Sequence, residues 1–159
     1  MKEDHMQRRT FLQGSLAGGA VAVAVGAGIL SPRTVLAAWP KTAFEAKSVQ
    51  DAMSSLYGSA DSTASGDIKI KAPDIAENGA VVPITVDSSI GGIESIAIIA
   101  EKNGQPLAAS FNLGKSAKGF VSTRIKMGKT SDVIAVVSAG GKRYAARKNV
   151  KVTIGGCGG

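Results

Sequence analysis

From residue 67 onward, apolar and polar positions alternate in short runs, with turn residues recurring about every 8–12 positions. Ile68, Ile70 and Ala72 alternate with Lys69 and Lys71, and Val82, Ile84 and Val86 alternate with Pro83 and Thr85. A period of two sends alternate side chains to opposite faces, so each run predicts a half-buried strand. Pro83 has no amide hydrogen for a ladder, which predicts an edge strand or the start of one. Further strands are predicted over residues 93–101, 107–113 and 121–127. Residues 132–138 hold an almost unbroken Val-Ile-Ala-Val-Val run and predict a central strand. Gly140-Gly141 turns the chain into a last strand over 142–154, where Val150, Val152 and Ile154 alternate with Lys151 and Thr153. Glu77-Asn78-Gly79 and Asn103-Gly104-Gln105-Pro106 supply further turns. About seven strands predict an all-β, immunoglobulin-like antiparallel β-sandwich.

Before residue 67 the period changes. Phe44, Val49, Ala52, Met53 and Leu56 recur at helical spacing. Thr42 with Glu45 three residues on has the spacing of a capping box, and Gly58 is placed to end the element. One amino-terminal helix over 39–58 is therefore expected, its apolar stripe packing on the domain or on a partner. The small polar residues 58–66 read as a linker.

The first 37 residues read as an address. Gln7-Arg8-Arg9-Thr10-Phe11-Leu12-Gln13 carries a twin arginine, and residues 14–30 form an uncharged, weakly apolar run. Val35-Leu36-Ala37 offers small residues for cleavage before Ala38. The pattern is that of a twin-arginine (Tat) export signal, cleaved after residue 37 and read in bacteria. A membrane anchor is the competing reading. The run has 17 residues and five glycines, short of the ~18–20 apolar residues of a spanning helix. Four segments follow: 1–37 signal, 38–66 helix and linker, 67–154 sandwich, and 155–159 a terminal arm. The expected location is the periplasm, with no membrane attachment after cleavage.

Cleavage also removes His5, the only histidine in the sequence. Zinc, copper and haem sites draw on clusters of His and Cys, and Cys-His catalysis needs a base beside the thiol. No metal site, cofactor or catalytic group is therefore expected in the mature chain. No phosphate-binding glycine loop, serine nucleophile elbow or calcium loop is visible. Charge is uneven. Residues 115–159 hold ten bases against the single acid Asp132, whereas residues 38–114 carry net negative charge. Solvated strand faces account for such a bias, and a field that attracts anions or acidic partner surfaces is the functional reading. Export argues against nucleic acid as the partner.

Cys157 is the only cysteine, with Gly155 and Gly156 before it and Gly158 and Gly159 after it. A lone cysteine is commonly a small buried hydrophobe. Four glycines, however, bring no side chains for a core and predict a flexible arm. A single thiol cannot pair within its own chain, so in an oxidising compartment it stays free, capped or joined to something else. The expected functional group is thus an exposed thiol on a tether. From Ile154 the arm reaches at most roughly 10 Å to Cys157.

The motif Gly155-Gly156-Cys157-Gly158-Gly159 resembles the carboxyl-terminal signature of the SoxY family, sulfur carriers of bacterial thiosulfate oxidation. Asn78-Gly79-Ala80-Val81-Val82-Pro83-Ile84, Thr123-Arg124-Ile125-Lys126 and Val150-Lys151-Val152-Thr153-Ile154 resemble segments of the same family, and the export signal fits it. The resemblance covers essentially the whole mature chain. It implies a non-enzymatic carrier with Cys157 as the covalent attachment residue and Gly155, Gly156, Gly158 and Gly159 as the carrier arm. It implies a complex with SoxZ, a small β-sandwich protein without its own export signal. It also implies transient visits to SoxAX, SoxB and SoxCD, which load, hydrolyse and oxidise the bound sulfur.

Other readings of these residues stay open. Ubiquitin-like sulfur carriers also end in Gly-Gly, as Gly158-Gly159 does, but they are cytosolic and have no need of Cys157. A periplasmic immunoglobulin-like structural module would use Cys157 for an intermolecular disulfide. A thiol-disulfide oxidoreductase would lack a resolving thiol. Lys148 and Lys151 lie near enough in sequence to favour the thiolate, subject to where the strand points them.

Overall fold

Two β-sheets contribute to one shared aliphatic core, and two short helices pack against a second cluster on the larger sheet. The computed structural model describes residues 39–153, so the expected export signal and carrier arm lie outside the described residues. The helices are α1 (Lys41–Glu45) and α2 (Val49–Tyr57). Nine strands follow: β1 (Thr63–Ala64), β2 (Ile68–Lys71), β3 (Ile75–Ala76), β4 (Val82–Ser88), β5 (Ile93–Ala100), β6 (Leu107–Asn112), β7 (Phe120–Ile125), β8 (Ser131–Ala139) and β9 (Lys142–Val152).

The single amino-terminal helix expected from the sequence is two. Ala46 adopts an extended backbone, with φ −56° and ψ 146°, and breaks the run. Ser48 then starts α2, its hydroxyl accepting from the Asp51 amide at 3.0 Å. That bond meets one of the orphan amides of the new first turn. Thr42 lies inside α1 and caps nothing, since α1 begins after Pro40 without a side-chain cap. Gly58 ends α2 as expected, in the left-handed conformation at φ 76°.

The large sheet runs β1-β9-β8-β5-β6, with β3 also pairing β9, and the small sheet runs β2-β4-β7. β8 is central, as its unbroken apolar run requires, and the two-residue period sorts its side chains. Val133, Ala135 and Val137 face the small sheet together with Ile96, Ile98 and Ala100 of β5. Ile134 and Val136, with Ala97 and Ile99, face Ala43, Ala52 and Met53 of the helices. Both central strands are thus buried on both faces, which is why their sequence lacks alternation. Ile84 and Val86 of β4 and Val121 and Ile125 of β7 close the inner core from the other side.

β4 is the middle strand of the small sheet rather than an edge, and Pro83 stands at the start of that strand, as the other expectation had it. Pro83 is tolerated because β2 has ended by that point. The β2–β4 register begins at Thr85, while Pro83 lies opposite Arg124 of β7. β1 and β3 are two-residue strands that the alternation did not announce. Both lie parallel to β9 and pair its outer edge at its two ends, Thr63 with Tyr144 and Ile75 with Lys151. Among the described residues no helix is long and apolar enough to cross a membrane.

Candidate functional site

Cys157 and its flanking Gly155, Gly156, Gly158 and Gly159 lie outside the described residues. The structure describes the chain that leads to them. β9 is the longest strand, and its last residues are held from three directions. On one side Thr130 bridges the backbone of Val152. Its Oγ1 accepts from the Val152 amide at 2.9 Å and donates to the Val152 carbonyl at 3.4 Å. On the other side β3 pairs the strand end: Lys151 N–H donates to the Asp74 carbonyl at 2.9 Å and Thr153 N–H to the Ala76 carbonyl at 3.1 Å. Pairing on both edges keeps the strand end from fraying at Val152 and Thr153.

The third hold is steric. The turn expected at Glu77-Asn78-Gly79 forms, with Asn78 Oδ1 accepting from the Ala80 amide at 2.9 Å. The Gly79 carbonyl accepts from the Met127 amide at 2.7 Å. A Cβ on Gly79 would run into the Met127 carbonyl oxygen and Val152 Cγ1. Only glycine lets the two backbones and the Val152 side chain approach this closely. Asn103 braces the same end by donating to the Lys126 carbonyl at 2.7 Å and accepting from the Gly128 amide at 2.9 Å.

The basic bias of the second half resolves into two groups. Arg143 donates to the Asp61 carbonyl, Arg147 pairs Glu101 at 3.1 Å, and Lys148 pairs Asp74 at 3.2 Å and donates to the Ala72 carbonyl at 2.8 Å. Lys148, one of two lysines near the thiol in sequence, is thus committed to the Ala72–Asp74 segment. These pairs are partly exposed, and each contributes about 0–1 kcal/mol. Lys126, Lys129 and Lys151 are exposed and make no ion pair among the described residues. The described residues contain no group of His, Cys, Asp and Glu arranged to hold a metal. Among the described residues, Tyr57 is the one titrating group pushed clearly off its usual value. Burial raises it, against a hydrogen bond from Ser95 and the charge of Arg143. It sits where α2 meets β5, away from the β9 terminus.

The sequence pointed to the thiol and to the strand before it. Thr130 and Asn103 were not legible as anchors, because a side chain that bonds a backbone 22 or 23 residues away leaves no local pattern. Gly79 was legible as a turn residue, while its close approach to β9 was not.

Comparison with known proteins gives four findings. The family model described as sulfur oxidation protein SoxY matches residues 53–157, a span that includes Cys157. The solved structure of the sulfur carrier protein SoxY from Chlorobium limicola f thiosulfatophilum is similar, with 47% identity and a TM-score of 0.61. That match covers 67% of this chain and 96% of the other. A superoxide reductase (neelaredoxin) from Ignicoccus hospitalis shares 19% identity at a TM-score of 0.49, covering 54% of this chain and 80% of that one. Likeness at that level carries no argument here. No curated protein sequence matches significantly.

Proposed function

Because the chain belongs to the SoxY family, we propose that it is a periplasmic sulfur carrier that holds thiosulfate-derived intermediates covalently on Cys157. Family membership makes it a carrier rather than an enzyme. The observation that carries the finer reading is the family match running through Cys157, the only cysteine in the chain, four residues beyond a strand end pinned at Val152 and Thr153. A rigid root followed by glycine and one thiol is the construction a covalent carrier needs.

The chemistry follows from the thiol. Loading joins the Cys157 sulfur to the sulfane sulfur of thiosulfate. The thiol proton leaves, and two electrons pass to the c-type cytochrome SoxAX. Water then attacks the terminal sulfone sulfur in SoxB, the sulfur–sulfur bond beside it breaks, and sulfate departs. A persulfide stays on Cys157, and SoxCD, where present, oxidises its outer sulfur further. The carrier contributes the nucleophile and the tether. An ordinary cysteine thiol, with pKa about 8.5, is only a few per cent thiolate near neutrality. Lys148 is engaged elsewhere, which leaves Lys151 or the receiving enzymes to favour the thiolate.

The remaining architecture is read on the same basis. Residues 1–37 are a cleaved Tat signal, 38–66 the helical segment and linker, 67–154 an immunoglobulin-like sandwich, and 155–159 the carrier arm of Gly155, Gly156, Cys157, Gly158 and Gly159. The shared core between the two sheets supports the sandwich. Because the Tat route moves folded proteins, the chain folds with SoxZ before export and takes it across. Deleting residues 1–37 leaves both proteins in the cytoplasm under this reading, and continued export of SoxZ would contradict co-transport.

The direct test is thiol accessibility. Wild-type protein with SoxZ, thiosulfate and SoxAX loses its reaction with iodoacetamide at Cys157 and recovers it on reduction. A thiol that stays alkylatable while SoxAX is reduced by thiosulfate would remove the covalent-carrier reading.

A further inference from the structure

The surface around the β9 terminus combines exposed apolar and exposed basic side chains. Ile75 and Val81 are large hydrophobics left 56% and 52% exposed. Ile75 lies beside Lys151 in register, and Val81 is one step before the Val82–Ile125 pair, next to Lys126. Lys129 precedes Thr130, which holds Val152, and Lys102 precedes Asn103, which holds the Lys126 backbone. Lys102, Lys126, Lys129 and Lys151 are exposed and make no ion pair among the described residues. Three carboxylates of this end have basic partners within the chain: the largely exposed Asp74 pairs Lys148, and Glu101 and Asp132 pair Arg147. Glu77 is the exposed acid that remains unpaired there. The end therefore carries two exposed apolar side chains and four exposed lysines near the strand terminus.

Chain length ties this surface to the arm. Cys157 lies four positions beyond Thr153, a reach of at most about 14 Å even when fully extended. A protein that takes the Cys157 sulfur into a cleft must bring its own surface to the ring around Thr153. The arm is too short for its visitor to stay clear of that ring.

We propose that Ile75, Val81 and the lysines Lys102, Lys126, Lys129 and Lys151 form a docking collar that recognises an acidic, apolar-centred rim at the cleft entrance of the enzymes that process the carrier. The proposal rests on the carrier reading above and adds the surface and chemistry of recognition. The lysines act at a distance. They raise the encounter rate with an acidic mouth and lose effect when salt shortens the Debye length to about 8 Å at physiological strength. The apolar pair acts on contact, through the area it removes from water. The collar stays the same whichever intermediate the arm carries, so one surface serves several enzymes in turn.

The test uses the full carrier with SoxZ, loaded on Cys157, and the enzyme that hydrolyses the bound sulfone. The double variant Lys126→Glu/Lys129→Glu raises KM about tenfold at low salt with kcat unchanged. Wild-type KM climbs with sodium chloride, while that of the variant does not. Val81→Ser raises KM by a smaller factor that salt leaves alone. All these positions are exposed, and thermal midpoints within a few degrees of wild type establish folding. A double-variant KM within twofold of wild type, or a wild-type KM indifferent to salt, overturns the collar while wild-type turnover leaves the carrier reading intact. No turnover of loaded wild type at all removes the carrier reading, and the collar with it.

Discussion

Gly79 and Gly119 are sterically alike and sit at opposite ends of the small sheet. A Cβ on Gly79 would strike the Met127 carbonyl and Val152; on Gly119 it would strike Ile93 and the Ser88 carbonyl. β4 runs between the two ends, from Val82 beside the Gly79 turn to Ser88, whose amide donates to the Gly119 carbonyl at 2.8 Å. Both glycines permit a close backbone approach, and both should be equally costly to replace. Their neighbours differ. Gly79 presses on the last residues of β9, which lead to Cys157. Gly119 lines an open hollow of about 460 Å³ with Ile90, Gly91, Gly92, Lys115, Lys118 and Phe120, some 20 Å away along β4. The contrast separates what holds the fold from what presents the thiol.

The largest effect expected is at the thiol itself. Cys157→Ser leaves the thermal midpoint unchanged and abolishes thiosulfate-dependent electron transfer to SoxAX, because the oxygen nucleophile forms no disulfide-type bond. Retained activity would transfer the role to another group, such as a carboxyl-terminal thiocarboxylate.

The two glycines come next. Gly79→Ala and Gly119→Ala each destabilise by about 1–3 kcal/mol through overpacking, read as a fall in thermal midpoint of roughly 4 °C per kcal/mol. Below the midpoint the two part. Gly79→Ala slows processing of the loaded carrier about tenfold, because a displaced root misplaces the reacting sulfur. Gly119→Ala processes at the wild-type rate. Equal slowing in both would mean that general loosening, rather than the root, sets the rate.

Thr130 sharpens the same point with a smaller change. Thr130→Val keeps shape and removes the hydroxyl that bridges Val152. It lowers stability by about 1 kcal/mol, and processing falls about fivefold on the same scale. Thr130→Ser restores both. Arm variants test threading rather than anchoring: Gly156→Val or Gly158→Val slows processing and leaves the thermal midpoint alone, and wild-type turnover in both would refute a narrow channel.

At the far end the smallest effect is expected from Gly141→Ala in the β8–β9 hairpin. Gly141 has φ 73°, so a side chain costs about 1–2 kcal/mol of backbone strain. Carrier turnover is untouched, because that turn lies at the other end of β9 from Val152.

The same division decides what the sequence revealed. Period-two alternation located β2, β4, β7 and β9, and the unbroken run of β8 announced a central strand. These are local patterns imposed by one-sided or two-sided burial. The break at Ala46 was hidden because the apolar stripe of Phe44, Val49 and Met53 continues across it, and tertiary packing accepts two short helices on that stripe as readily as one. β1 and β3 were hidden because two residues carry no period; their existence is set by the edge of β9. The thiol and its glycines were legible from residue type alone. The parts that fix the strand end before them, Thr130, Asn103 and the packing face of Gly79, act across 22 or more positions and are visible only in three dimensions.

The central claim is that sulfur travels covalently on Cys157, and an intact-mass spectrum tests it most directly. The protein is purified without reductant from periplasm during growth on thiosulfate and mapped to its carboxyl-terminal peptide. The account predicts added masses of thiosulfate-derived groups and sulfane sulfur on Cys157, all removed by reductant. Bare chain, or only a symmetric disulfide dimer, in cells consuming thiosulfate would contradict it and leave an immunoglobulin-like structural module as the better reading.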